Sequence, residues 1–370
     1  MREALRLAAR ARGRTHPNPM VGALVVRGGR IVGQGYHRKA GGPHAEVLAL
    51  QAAGSLAHGG TLYVSLEPCC HFGRTPPCTE AILSAGIREA VIGMRDPNPL
   101  VSGGGIRALR RAGVRVRTGL LEEECRRLNE DFCHYIRTGR PFVILKSALS
   151  LDGKIATSSG ESRWISSPQS RSHTHRLRER ADAILVGIGT ILADDPSLTA
   201  RPPGGRARDP LRVILDSRLK IPLTAKILNV HSKADTILAT TRHSSPRRRA
   251  EVAAKGVEVL VLREVQEGVS LKDLLRVLGR RGIVSLLIEG GAKVSGEALR
   301  AGVVNKVIYY LAPILIGGER APGAIGGEGV HRLADAYRLR DVRTSRLGPD
   351  LLVEGYVDGG GRPRRVYGDH

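Results

Sequence analysis

Aromatic side chains make up only 3% of this 370-residue chain, cysteine occurs five times, methionine three times and tryptophan once. Few rings leave little on which nucleic-acid bases could stack. Cysteine is too sparse, and odd in number, for a disulfide framework; Cys69, Cys70 and Cys78 crowd together in a chain with no export signal, which favours metal binding. No apolar run approaches the roughly 20 residues that span a bilayer. The start, MREALRLAARARGRTHPNP, lacks the apolar stretch of about 7–15 residues and the small-residue cleavage site of a secretory signal. A cytoplasmic protein without a membrane partner is expected. Lysine is scarce too, at 10 of the 58 basic residues. The net charge of +23 therefore comes from arginines scattered through both halves, which resembles a compositional bias more than a nucleic-acid-binding arm.

The hydrophobic fraction of 41% and charged fraction of 25% are those of a soluble globular protein. The length favours two domains. Short apolar runs (VGALVV, TLYVSL, EAVIGM, VRV) alternate with amphipathic segments up to about residue 140, an α/β pattern. LEEECRRLNEDFCHYIRTG reads as one helix with an acidic head and basic tail, ending at Gly139 before Pro141. Its Cys125 and Cys133 are expected to be core or surface residues rather than ligands. A second α/β domain restarts at FVILKSALSLDG and runs through AILVGIG, LRVILD, TILATT, VEVLVL, VSLLIEGG and NKVIYYLAPILIGG. The expected boundaries are 1–141, 142–357 and a disordered tail at 358–370.

Chemistry concentrates in Pro43-His44-Ala45-Glu46, in Glu67-Pro68-Cys69 after a strand, and in Cys78 after two prolines. One His and two Cys give zinc three protein ligands and leave a fourth position for water. His-x-Glu followed by Pro-Cys and a later Cys is the zinc-deaminase signature, in which the Glu, here Glu46, shuttles protons and does not bind the metal. Cys70 or His71 could instead complete a structural site, and Cys70 beside Cys69 leaves the register ambiguous, although the Glu-Pro-Cys placement favours Cys69. Nucleic-acid deaminases of this kind use Cys-x-x-Cys. Here CHFGRTPP separates Cys69 from Cys78, and its His71, Arg74 and Thr75 suit an anionic group such as a small-molecule phosphate. A nucleic-acid base deaminase with an accessory binding domain is the alternative reading.

The second half is less explicit. IEGGAKVSGEAL sets two glycines between an apolar strand and a helix, where backbone N–H groups can approach a pyrophosphate, yet it is not the dinucleotide fingerprint. LADDPSLTAR reads on its own as a solvated turn. Ser166 or Ser167 is the expected helix cap. Trp164 could stack on a flat ligand or plug the core.

HPNPMVGALVV, GYHRKAGGPHAE and LEPCCHFGRTPPCTEAI together resemble the bifunctional deaminase/reductase family of riboflavin biosynthesis. KSALSLDGKIA, SRWISSPQSR, GIGTILADDPSLTAR and LLIEGGAKVSGEAL look like that family's reductase motifs, so the resemblance covers nearly the whole chain. It implies an N-terminal cytidine-deaminase-like three-layer α/β domain and a C-terminal dihydrofolate-reductase-like domain. It further implies zinc on His44, Cys69 and Cys78, Glu46 as proton shuttle, and Asn18 and His37 near the substrate. NADPH would be bordered by Ala148, Trp164, Thr190, Asp194 and the segment Gly291, Ala292, Lys293, Val294, Ser295, Gly296 and Glu297. Ser162, Arg178, Leu198, Arg201 and Glu289 would border the second substrate, with Arg178 and Arg201 suited to its phosphate and Lys146 and Asp194 candidates for proton transfer. The partners implied are phosphorylated pyrimidines and a second copy of the chain.

Overall fold

The computed structural model describes residues 1–72, 76–99, 101–205, 207–266 and 268–358. The expectations for Arg74, for Thr75 and for the tail from Gly359 on concern residues outside these. The chain divides into two units between Arg140 and Pro141. In the first, α1 (Arg2–Ala8) leads to β1 (Gly22–Arg27), β2 (Arg30–Tyr36), α2 (Ala45–Ala53), β3 (Thr61–Leu66), α3 (Cys78–Ser84), β4 (Glu89–Met94), α4 (Gly104–Arg111), β5 (Arg115–Thr118), α5 (Glu122–Leu128) and α6 (Glu130–Thr138). The sheet order is β2-β1-β3-β4-β5, antiparallel around β1 and parallel from β3 to β5. Ala23 and Val25 join a cluster with Ala45, Ala49 and Leu50 of α2, whereas Leu24 between them packs on Ala4 and Leu7 of α1. Strand periodicity thus gives each face its own helical cover, and the unit has three layers.

Glycine sets how closely the first of these layers approaches. A Cβ on Gly33 would lie 2.2 Å from the Ala49 carbonyl oxygen, and one on Gly35 would lie 2.7 Å from that of Ala45. The start of α2, which carries His44 and Glu46, is therefore seated directly on β2.

The stretch from Leu121 to Gly139, expected as one helix, is two. Asn129 leaves helical geometry at φ −114° and ψ 31°. Its Nδ2 donates to the Met20 carbonyl at 2.9 Å and its Oδ1 accepts the Met20 N–H at 2.7 Å. A short amide side chain that can bond backbone elsewhere competes with the helix, and here it wins. Cys125 and Cys133 flank the break, both buried in the core, where burial pushes each thiol up to about 12.

The second unit contains β6 (Phe142–Ser150), α7 (Pro168–Arg180), β7 (Ala183–Gly187), α8 (Ile188–Asp194), β8 (Leu211–Leu215), β9 (Thr236–Thr240), α9 (Pro246–Ala253), β10 (Glu258–Val261), β11 (Glu264–Val265), β12 (Gly268–Val269), α10 (Leu271–Arg280), β13 (Ser285–Ile288), α11 (Ala292–Arg300), β14 (Lys306–Ala312), β15 (Arg338–Leu347) and β16 (Asp350–Asp358). Its main sheet runs β10-β9-β8-β7-β13-β6-β14-β16-β15, parallel as far as β14 and antiparallel at the last two strands. Every residue of β7 and β13 is buried, as in parallel sheets covered on both faces. Ser167 caps α7, accepting the Ser170 N–H at 3.3 Å, and Pro168 occupies the first helical position. β15 is exposed along almost its whole length.

Candidate active sites

In the first unit three elements converge. His44 precedes α2 in extended conformation, Cys69 follows β3 by three residues, and Cys78 opens α3. Nδ1 of His44 lies 3.1 Å from the Cys78 sulfur and 3.6 Å from that of Cys69, and all three donor atoms fall within 4.8 Å of one another. Tetrahedral zinc with S and N ligands sets donors roughly 3.5–3.8 Å apart, so the trio fits that ion. The Cys78 N–H also donates to the Cys69 sulfur at 3.3 Å. Hydrogen bonding from the Cys78 thiol holds Cys69 down to about 4 against the effect of burial, with His44 helping, and the same bond together with burial pushes Cys78 up. The pair already favours a thiolate, the ligating form. Among the described residues no fourth His, Cys, Asp or Glu joins the group. Cys70 turns instead toward α4, where a Cβ on Gly104 would meet its sulfur at 2.7 Å.

His44 and Cys69 border a cavity of about 540 Å³ that is also lined by Asn18, His37, Glu46 and His71, while Cys78 is fully buried beside them. Glu46 is buried, and burial pushes its carboxyl up to about 7 despite the opposing backbone N–H and His44. A group in that range can both accept and return a proton near neutrality. His37 Nδ1 lies 3.1 Å from the Pro43 carbonyl, which can only accept. That nitrogen therefore carries a proton, and Nε2 of the neutral ring accepts from Asn18 Nδ2 at 3.2 Å. Among the described residues the Asn18 side-chain oxygen has no partner and is available to a ligand. The sequence reading gave Glu67 no role beyond the Glu-Pro-Cys turn and missed Asp96, Asn98 and Tyr135, and all four line the same cavity. DPNP directly after a parallel strand was the available signal, because ligands of α/β sheets gather at the carboxyl ends of strands.

The second unit brings its candidate residues into two adjoining groups. In the first, a Cβ on Gly291 would lie 3.8 Å from Thr190 Oγ1. At the other end of α8, Asp194 Oδ1 accepts from Ser162 Oγ at 3.1 Å, and Arg163 donates to the Asp194 carbonyl at 2.5 Å. Trp164 is 69% exposed, with Arg171 4.6 Å from its ring centre, so it does not plug the core. Ser295 is buried, Val294 packs on the core, and Glu297 pairs with Arg300.

The second group is ionic. Arg178 donates to both oxygens of Glu289, at 2.7 and 2.9 Å, and to the Thr199 carbonyl at 3.2 Å. Lys146 stands 3.6 Å from Glu289, with Ala148 one step along the same face of β6. Burial opposes the charge on Glu289, but Arg178 and then Lys146 outweigh it and hold the carboxyl down to about 2. Lys146 is lowered, chiefly by burial. Arg201 is exposed and donates its main-chain N–H to His175 Nδ1 at 3.2 Å. The Leu198 side chain belongs to the core, and its φ of 51° is left-handed.

Residues 1–94 match the family described as the cytidine and deoxycytidylate deaminase zinc-binding region, and residues 141–353 match the RibD C-terminal domain. Fold and site together define a class of two-domain enzyme in which a zinc-binding deaminase precedes a reductase. The riboflavin biosynthesis protein RibD of Aquifex aeolicus is 46% identical over 355 residues, covering 95% of this chain and 96% of that protein. RibD of Escherichia coli is 42% identical over 95% of this chain and 97% of its own. The solved Acinetobacter baumannii RibD gives a TM-score of 0.85 at 38% identity, covering 96% of this chain and 97% of that one. A Thermotoga maritima diaminohydroxyphosphoribosylaminopyrimidine deaminase/5-amino-6-(5-phosphoribosylamino)uracil reductase gives 0.83 at 37% identity, covering 97% of each. The chain belongs to the RibD family of riboflavin biosynthesis. Among the described residues no helix is long and apolar enough to cross a membrane.

Proposed function

We propose that the chain carries out two consecutive steps. The first unit deaminates 2,5-diamino-6-ribosylamino-4(3H)-pyrimidinone 5′-phosphate by hydrolysis. The second reduces the ribosyl group of 5-amino-6-(5-phosphoribosylamino)uracil to ribityl with NADPH. The observation that carries this reading is the His44, Cys69 and Cys78 trio, with His44, Cys69 and Glu46 on the wall of one cavity. The deaminase and reductase activities for which the Thermotoga relative is named support the choice of substrates.

One zinc ion on the trio supplies Lewis acidity that makes water a nucleophile at neutral pH. Glu46 takes a proton from the attacking water and returns one to the departing amine, and ammonia leaves. Asn18, oriented by His37, offers its oxygen to a substrate donor. In the second unit NADPH supplies the hydride. The turn into α11 and Thr190 border the cofactor, while Lys146 or Asp194 provides the proton taken up by the ring oxygen as C1′ is reduced. Arg178 braces Glu289, so Arg201, whose guanidinium has no partner among the described residues, takes the 5′-phosphate.

The test is a coupled assay of the zinc-loaded chain, following ammonia release and then NADPH oxidation, beside Glu46→Gln. The expected variant loses about 10²–10⁴-fold in deamination and keeps its reductase rate. Ammonia without NADPH oxidation would sink the reductase assignment, and no ammonia from the wild type would sink the deaminase one.

A further inference from the structure

Asp96 lines the deaminase cavity at 8% exposure. Its Oδ1 accepts the Asn98 N–H at 2.8 Å, and among the described residues the carboxylate has no other hydrogen-bond partner, with His71 acting on it only through space. Asp96 is itself held from behind. The buried Glu67 carboxylate gathers the main-chain N–H groups of Asp96 at 3.2 Å, Gly103 at 3.0 Å and Ile106 at 3.1 Å. Behind Glu67, a Cβ on Gly105 would come 2.0 Å from the Pro68 carbonyl oxygen, so the 96–106 segment lies directly on the Glu-Pro-Cys turn that carries Cys69. The segment is held against the metal-ligand turn, and Asp96 keeps its place on the cavity wall near it. A buried carboxylate oxygen without a partner costs free energy until a donor reaches it.

We propose that Asp96 is a specificity-determining residue of the deaminase, its free oxygen accepting the ring N–H that neighbours the reacting carbon of the aminopyrimidinone. This rests on the deaminase reading above. The ring N3–H is the lactam donor next to the carbon that loses its amine, and a carboxylate is its charge-assisted acceptor. Glu67 is a positioning residue for this contact and does not touch the substrate.

The Asn98 N–H makes the proposal testable in an unusual order. In Asp96→Asn that N–H holds the amide oxygen, so the NH₂ group is forced toward the ring N–H, donor against donor. In Asp96→Ala the contact is only lost. The expected ranking of kcat/KM for ammonia release is therefore wild type, then alanine, then asparagine, with alanine down at least about tenfold and mostly through KM. A residue needed only for structure gives the reverse, since asparagine is the conservative change. Zinc content and the reductase rate of the same preparations are expected to stay at wild-type values. Asparagine equal to or better than alanine overturns the proposal and leaves the deaminase reading intact, whereas a zinc-loaded wild type that releases no ammonia overturns both. Should alanine lose zinc, the N3-methylated substrate decides. It is expected to cost the wild type about tenfold in KM and Asp96→Asn much less; equal penalties overturn the proposal.

Discussion

Glu289 keeps its charge in a buried position because two cations face it. Its folded-state carboxyl lies at about 2, below the ordinary value near 4.5. A depressed carboxyl stabilises the fold fully above its unfolded value and loses that contribution as pH falls toward the folded one. The second unit should therefore lose on the order of 3 kcal/mol between about pH 4.5 and 2 from this residue alone. Glu289→Gln should remove that acid dependence and, at pH 7, leave Arg178 and Lys146 facing each other without a balancing charge, at a cost of about 3–5 kcal/mol. Urea midpoints of both proteins at pH 7 and pH 3 check it: a variant that matches the wild type at pH 7 would remove Glu289 from the ionic group. At this scale the sequence was legible where chemistry forces residue types together, as at His44, Glu46, Cys69 and Cys78. It was not legible at Glu67 or Asp96, because a carboxylate that binds backbone N–H groups leaves no spacing rule behind. The bracing of Arg178 by Glu289 could not be read for a related reason. A free arginine and one locked on Glu289, more than a hundred positions away, look alike in sequence.

Elements fix how well these residues meet. Asn129 ends α5 and ties the chain between α5 and α6 to Met20, beside the Pro17–Pro19 wall of the cavity. Asn129→Ala should leave a buried N–H and C=O without partners and lower stability by about 1–3 kcal/mol. It should also raise KM for deamination while leaving the reductase unchanged, and an unaltered KM would mean that the wall holds its place without this clamp. Gly35→Ala tests the seat of α2. Its methyl would stand 2.6 Å from Leu48 Cβ and 2.7 Å from Ala49 N, contacts that backbone must yield to, at about 1–3 kcal/mol. Because His44 leads into α2, zinc content measured by metal analysis should fall together with the melting temperature. The alternation of strands and helices in the first 120 residues could be read directly, since period-two and helical patterns differ there. The break at Asn129 could not, because its cause lies at Met20. The β15–β16 hairpin also escaped notice, because β15 is exposed on both faces and writes no alternation.

For the molecule as a whole, the +23 charge invites a polyanion, yet much of the arginine is used locally. Arg126 with Glu122, Arg247 with Glu251 and Arg276 with Asp273 form pairs one helical turn apart, each worth a few tenths of a kcal/mol. Each hydrophobic cluster of the core draws its residues from one side of the Arg140–Pro141 junction only. A unit with its own core can fold alone. Residues 1–141 and 142–357, produced as separate chains, should each retain its own activity, ammonia release in the first and NADPH oxidation in the second. The two should also part under metal removal. A chelator should abolish ammonia release, in the fragment and in the full chain alike, because three protein ligands surrender zinc more readily than four and no other group replaces it. NADPH oxidation by the second unit, which needs no thiolate, should continue unchanged. Loss of reduction on chelation, or an inactive second fragment that is nonetheless folded, would mean that the reductase site needs the first unit, and the division of labour read from the separate cores would be wrong.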